Sequence, residues 1–251
     1  DLDKGGGSEV QLNEWYEWMD TIEKKEIEEK KRIQAYQHLF DTMDLNNDGN
    51  LDRKEIRKTL MRYPERTSNI LKKCKYVSIA LAPSNLKKSF MEMEYMMDSM
   101  DDKNRMKKTE CDNKSITTTE IRTSINLKEW MVWCKGLHEK GMKQEKRLLS
   151  LRALFHSIDV KGKGWLKPKE VLSSLSKFPK ATNELLNEYP IIHDALLPKN
   201  IVNTMNEMDQ DGNTRVDINE WMNWFELIRL EKLEKERRRL KMYDLFYYVI
   251  D

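Results

Sequence analysis

This chain has little glycine and proline, no long apolar run and almost no net charge, and each of these absences excludes some classes of protein. Glycine and proline supply only 9 and 6 of the 251 residues, so few positions force a helix to break. No stretch approaches the roughly 18 consecutive apolar residues that a membrane-spanning helix needs. The 45 basic and 43 acidic residues leave a net charge of +2, which gives no electrostatic footprint for nucleic acid or an acidic membrane. The composition predicts a helical, soluble chain.

Cysteine and histidine are also rare, and their placement argues against catalysis. The three cysteines, Cys74, Cys111 and Cys134, are odd in number and not at metal-ligand spacing, which favours a reducing, cytoplasmic compartment. The four histidines lie in separate segments, and none forms a nucleophile or zinc motif. We therefore predict that the chain is not an enzyme.

The most informative segment is DLNNDGNLDRKE at residues 44–55, which we call loop I. Oxygen-bearing side chains occupy positions 1, 3, 5, 7, 9 and 12, namely Asp44, Asn46, Asp48, Asn50, Asp52 and Glu55. Ca²⁺ takes about six to eight oxygen ligands, and a 12-residue loop supplies them from these positions. Gly49 at position 6 permits the positive φ of a sharp turn. The apolar Leu51 at position 8 is expected to pair with a neighbouring loop.

This pattern resembles the EF-hand family of calcium-binding helix-loop-helix proteins. The resemblance implies an all-α fold, Ca²⁺ as cofactor, and a bidentate carboxylate from Glu55. The competing interpretation, an acidic turn between two helices, does not explain why Leu51 and Glu55 stand in register with the acidic residues.

A second oxygen-rich segment, residues 209–220 (loop IV), repeats the pattern with one departure. Its predicted ligands are Asp209, Asp211, Asn213, Asp217 and Glu220, with a backbone carbonyl from Arg215. Thr214 stands where glycine is preferred, and a β-branched residue at positive φ costs about 1 kcal/mol or more. Loop IV is therefore predicted to bind calcium more weakly than loop I.

Residues 159–170 (loop III) keep the frame of such a loop without its ligands. Lys161 and Lys163 occupy positions 3 and 5, where a metal ion would meet ammonium groups. We predict that loop III does not bind calcium and persists as the pairing partner of loop IV.

Residues 124–129 match the end of a further loop, loop II. If that loop begins at Asp101, it contains an insertion from Lys103 to Thr123 that is rich in lysine, threonine and serine. The insertion has no regularly spaced apolar residues, so we predict that it forms a mobile surface excursion, that is, a loop that leaves the helix-loop-helix core. Its ligand geometry cannot be derived, and no calcium site is expected there.

A 115-residue repeat organises the chain. It relates Asp44 to Asp159 and Pro83 to Pro198, so one helix-loop-helix pair has been duplicated. Residues 10–18 and 245–251 resemble parts of further repeats, which predicts a window of a longer array; a complete two-lobe protein is the alternative. The expected segments are 1–32 (the end of an EF-hand and its exiting helix), 33–140 (a pair with an inserted loop), 141–232 (a second pair) and 233–251 (an entering helix).

The connectors between pairs have nearly constant length. The last ligand of one pair and the first of the next lie 30, 30 and 31 positions apart, and no proline interrupts these intervals. Each connector is therefore predicted to be one continuous helix, with a solvated middle between Glu23 and Arg32 in the first. Gly136 and Gly141 make the second connector the expected hinge, and a flexible linker is the alternative.

A repeated Glu-Trp-x-x-Trp motif follows each even-numbered loop. It contains Trp15, Trp18, Trp130, Trp133, Trp221 and Trp224. Residues three apart share one helix face, and core packing is favoured over partner capture. Methionines such as Met93 and Met97 leave open a calmodulin-like groove for amphipathic helices.

These patterns predict tandem EF-hand pairs joined by long helical connectors. The expected function is that of a calcium-binding structural or scaffold protein whose partners are proteins, either amphipathic helices or cytoskeletal filaments. A lysine- and asparagine-rich EF-hand array resembles cytoskeletal or ciliary proteins of protists. A calmodulin-like sensor or buffer, or the regulatory region of a calcium-activated enzyme, remains as the alternative.

Overall fold

Helices make up most of the chain, as the scarcity of glycine and proline predicts. The computed structural model describes residues 11–108, 124–177 and 194–250. Two units, residues 1–142 and 143–251, divide the chain. The elements in order are α1 (Leu12–Met43), β1 (Asn50–Asp52), α2 (Arg53–Arg62), α3 (Pro64–Leu71), α4 (Lys75–Ala80), α5 (Leu86–Lys108), β2 (Ser124–Asn126), α6 (Leu127–Ile158), β3 (Trp165–Leu166), α7 (Pro168–Lys177), α8 (Ile201–Met208), β4 (Val216–Asp217) and α9 (Ile218–Ile250). The fold is all-α, and its strands are two or three residues long.

The helix that leaves each loop begins at a capping interaction between the ninth and twelfth residues of that loop. In loop I, the Glu55 amide donates to Asp52 Oδ1 at 2.6 Å and the Asp52 amide donates to Glu55 Oε2 at 3.1 Å. Asn126 and Glu129 make the same reciprocal pair at the start of α6. This capping box satisfies backbone donors that the first helical turn leaves unpaired. The last loop position thus also sets where the exiting helix starts.

Each of the three predicted connectors lies within one helix, α1, α6 or α9. In α1, residues 23–31 are all exposed, which agrees with the predicted solvated middle. Helix α5 continues to Lys108, so the predicted surface excursion does not begin at Lys103; residues 109–123 lie outside the described residues. Within the described ranges, no helix has both the length and the apolar character needed to cross a membrane.

The core of residues 1–142 surrounds a two-stranded antiparallel ladder. Leu51 of β1 faces Ile125 of β2, which confirms the pairing predicted for Leu51. The buried side chains of α1 and α6 pack around it, and Trp130 donates through Nε1 to the Tyr36 carbonyl at 2.9 Å. Met93 and Met97 are also buried in this core.

Residues 143–251 repeat this arrangement. Leu166 of β3 faces Val216 of β4, as the predicted pairing of loops III and IV requires. Trp221 donates through Nε1 to the Leu151 carbonyl at 3.2 Å, the same contact one repeat later. Core packing of the tryptophans is confirmed for Trp130, Trp133, Trp221 and Trp224, each at most 8% exposed. Trp15, by contrast, is 44% exposed.

An ion-pair cluster joins α6 to α9 in the second unit. Glu226 accepts hydrogen bonds from Arg229, Arg147 and Gln144. The Arg229 hydrogen bond and the Arg147 guanidinium lower the pKa of Glu226 to about 2. Because the folded pKa lies below the ordinary value, this cluster stabilises the unit at neutral pH and is lost as the pH falls toward 2.

The two glycines of α6, Gly136 and Gly141, have different surroundings. The prediction that both form a hinge did not distinguish between them. A Cβ at Gly141 would lie 2.2 Å from Cδ1 of Tyr76, whereas a Cβ at Gly136 meets no atom within 4 Å. The Tyr76 ring also packs edge-on against His138, with ring centroids 5.4 Å apart. Gly141 therefore lets α4 approach α6 closely, and α6 is helical through both glycines.

Alanine at these two glycines should change stability in opposite directions. We expect Gly136→Ala to stabilise the protein by up to about 1 kcal/mol through helix propensity. Gly141→Ala should destabilise it by about 1 kcal/mol or more because the Tyr76 ring must move. Urea unfolding monitored by circular dichroism measures both changes. Adding Tyr76→Ala should remove most of the Gly141→Ala penalty, and an unchanged penalty would contradict the assigned contact.

Candidate metal centres

Loops I, III and IV share one backbone conformation. In each, positions 4 and 6 have positive φ. The residues are Asn47 (57°) and Gly49 (77°), Gly162 (62°) and Gly164 (78°), and Gly212 (73°) and Thr214 (64°). Loop III, although it carries lysines, therefore has the same turn as the two oxygen-rich loops.

The first residue of each loop is held in the same way. Its two carboxylate oxygens accept hydrogen bonds from the backbone amides of positions 5 and 6. These bonds join Asp44 to Asp48 and Gly49 (3.3 and 2.9 Å), Asp159 to Lys163 and Gly164 (3.0 and 2.7 Å), and Asp209 to Asn213 and Thr214 (3.0 and 2.8 Å). The loop backbone thus orients the first predicted ligand before any cation is considered.

In loop I, the predicted ligands lie along an open turn. Asp48 Oδ1 accepts from the Asn50 amide at 2.8 Å, and Asn46 Nδ2 donates to Asp48 Oδ2 at 2.9 Å. Glu55 is half-buried, with Oε2 engaged in capping α2. These contacts place amide and carboxylate oxygens on one loop, which is the donor chemistry that Ca²⁺ prefers.

Loop IV is more closed. Glu220 is 8% exposed, and its Oε1 accepts from the amides of Gln210 and Asp211 at 2.9 and 3.4 Å. Its Oε2 accepts from the Asp217 amide at 2.9 Å, so one carboxylate both caps α9 and reaches the start of the loop. Asn213 Oδ1 accepts from the Arg215 amide at 2.8 Å, which holds position 5 beside position 7.

Three carboxylates converge in loop IV. Asp209, Asp211 and Glu220 each place an oxygen within 4.8 Å of the other two; across residues 11–108, 124–177 and 194–250, no other potential metal-ligand group of this size is found. Like charges at this separation repel, and a cation bound among them removes the repulsion. The donor set is all oxygen and fits Ca²⁺. The predicted order of affinity, with loop I above loop IV, stays a prediction.

Loop III holds a cation of its own. Lys163 forms an ion pair with Glu170 Oε1, and its ammonium also lies 3.8 Å from the centroid of the Trp165 ring. The hydrogen bond from Lys163 lowers the pKa of Glu170. Glu170 Oε2 accepts from the Lys167 amide at 3.2 Å, so this glutamate caps α7 as its counterparts cap α2 and α9. Loop II adds only its paired strand and the Asn126–Glu129 capping box, because 109–123 lies outside the described residues.

The sequence did not reveal the contacts of Trp165. Its ring is approached by Arg215 (4.4 Å) and Lys167 (5.6 Å) as well as Lys163. Arg215 comes from the paired loop IV, where its carbonyl is a predicted ligand. An aromatic residue between two lysines in loop III is the only local signal, and it does not indicate the contact with Arg215, 50 positions away.

In the comparison with known proteins, one family model matches a short part of the chain. Residues 37–61, which contain loop I, the end of α1 and most of α2, match the EF-hand family model. No curated protein matches the chain. The match supports an EF-hand and calcium binding at loop I, and it covers none of loops II, III or IV.

The positive φ predicted for Thr214 is confirmed at 64°. Thr214→Gly should therefore stabilise the protein by about 1 kcal/mol and tighten calcium binding at loop IV. Gly212→Ala is the matched control. Since φ at Gly212 is 73° and an added Cβ would meet no atom within 4 Å, this variant should lose a similar amount of stability through backbone strain alone. Urea unfolding in chelator, followed by calcium titration, measures both effects. A loss of stability in Thr214→Gly would show that the threonine side chain outweighs the strain.

Proposed function

We propose that this chain is a calcium-binding protein built from two EF-hand pairs, with one ion in loop I and one in loop IV. The observation that carries the proposal is the convergence of Asp209, Asp211 and Glu220 within 4.8 Å. Their loop has the backbone of loop I, where the EF-hand family model matches.

The strand ladders support the pairing of loops. Loop I joins loop II through Leu51 and Ile125, and loop III joins loop IV through Leu166 and Val216. In each ladder, the two apolar residues lie at position 8 of their loops and are buried. A pair of loops joined this way shares one core, so ordering one loop restricts the other.

We propose a structural role for the protein, without catalysis, as a scaffold for protein partners. Two observations favour this over a buffer. Loop III commits its twelfth residue to Lys163, which reduces the number of calcium loops. Residues 23–31 of α1 and 231–239 of α9 are exposed, mostly charged helical surface rather than core, which suits contact with the charged surface of a partner such as a filament more than with the apolar face of an amphipathic helix. Location at the cytoskeleton or a cilium remains part of this proposal.

Isothermal titration with calcium tests the metal assignment. The wild-type chain is expected to bind two ions. Glu55→Gln and Glu220→Gln should each remove one, because a neutral amide replaces the bidentate carboxylate at position 12. Glu170→Gln is the matched control in loop III and should leave two.

The same titration can contradict the proposal in distinct ways. Four ions would show that loops II and III bind metal, and loss of an ion in Glu170→Gln would show that Lys163 yields to calcium. Binding that persists in Glu220→Gln with unchanged stoichiometry would remove loop IV from the account.

A further inference from the structure

Loop III carries a lysine at position 5, a ligand position of the calcium-binding pattern, and its ammonium pairs with the glutamate at position 12. Asp159 is anchored by the amides of positions 5 and 6, and positions 4 and 6 have positive φ, as in loops I and IV. The Lys163 ammonium of this loop pairs with Glu170 Oε1. Oε1 is the same oxygen that Glu220 directs toward the start of loop IV.

We propose that Lys163 is a built-in substitute for calcium, whose tethered ammonium holds loop III closed at every calcium concentration. Because β3 of loop III pairs with β4, the closed loop also holds β4, the strand of loop IV, in place. The first part rests on the geometry of loop III alone. The second part rests on the proposed function, since it requires loop IV to bind calcium.

The surroundings of Lys163 distinguish it from an ordinary surface lysine. Its side chain is 24% exposed and that of Glu170 is 34% exposed. The ammonium is flanked by a carboxylate and by the Trp165 ring, two partners that both favour a cation. The neighbouring Lys161, at position 3 of the same loop, is exposed. Position 5 therefore carries the interaction, and position 3 offers a matched comparison.

The closed loop is connected to loop IV by two sets of contacts. In the ladder, Trp165 faces Asp217 and Leu166 faces Val216. Across it, the Arg215 guanidinium lies 4.4 Å from the Trp165 ring centroid. Arg215 and Asp217 are predicted to contribute to the calcium site at positions 7 and 9. Fixing Trp165 through Lys163 thus restricts the segment of loop IV that must meet the ion.

The first test uses the full chain in chelator, so that it is independent of calcium. Lys163→Met keeps the unbranched stem as far as the ε position and removes the ammonium group with its charge. Hydrogen exchange at the amides of residues 163–166 should become about tenfold faster, as expected for loss of a charge-assisted hydrogen bond. Lys161→Met should leave these rates unchanged, and Lys163→Arg should restore most of the protection.

Equal exchange in Lys163→Met, Lys161→Met and wild type would overturn the proposal, because the ion pair would then not hold the loop. If Lys163→Met unfolds the unit, Glu170→Gln gives the same test by weakening the other half of the pair. Protection that is retained in Glu170→Gln would also overturn it.

The second test measures coupling to loop IV. With Glu55→Gln as background, so that loop IV is the remaining proposed site, adding Lys163→Met should weaken calcium binding about fivefold or more. Unchanged affinity would overturn the coupling. Absence of any calcium binding in this background would contradict the proposed function instead, and the exchange measurement in chelator would still decide the role of Lys163.

Discussion

The glutamate at the twelfth position of each loop is the residue on which the rest of the arrangement depends. One of its oxygens accepts the backbone amide of position 9 and starts the exiting helix, as Glu55, Glu170 and Glu220 show. In Glu170 and Glu220 the other oxygen contacts the loop itself. A carboxylate fixed in this way and only partly solvated favours a positive charge nearby. The capping requirement of the helix and the charge requirement of the loop are therefore met by one side chain.

The loops satisfy this charge requirement differently while keeping one backbone. Loop IV gathers three carboxylates, which calls for a divalent cation, whereas loop III places the Lys163 ammonium on Glu170. Because Leu166 and Val216 pair and are buried, the two loops share one core and neither can move far alone. If loop IV binds calcium as proposed, a permanently neutralised loop III beside it limits how far calcium can reorganise the unit. This limit favours the proposed structural role over a sensor that opens widely.

Local patterns in the sequence predicted the features that depend on nearby residues. The pairing of Leu51, the positive φ of Thr214 and the unbroken long helices follow from loop position, from turn geometry and from the lack of proline. Apart from the pairing of loops that the repeat indicates, side-chain contacts between distant segments were not predictable. Gly141 serves the approach of Tyr76, 65 positions earlier, and no local signal separates that role from a hinge. From the sequence, Lys163 in loop III indicated only that calcium is excluded. Its ion pair with Glu170 could not be predicted, because it depends on the closed conformation of the turn.

Anomalous diffraction from crystals of the full chain grown with calcium tests the central claim, that the twelfth-position glutamates of loops I, III and IV each face a cation. The account predicts calcium peaks in loops I and IV, each about 2.3–2.6 Å from a carboxylate oxygen of Glu55 or Glu220. In loop III it predicts no peak, with the Lys163 ammonium against Glu170. A calcium peak in loop III with Lys163 displaced, or the absence of a peak in loop IV, would contradict it.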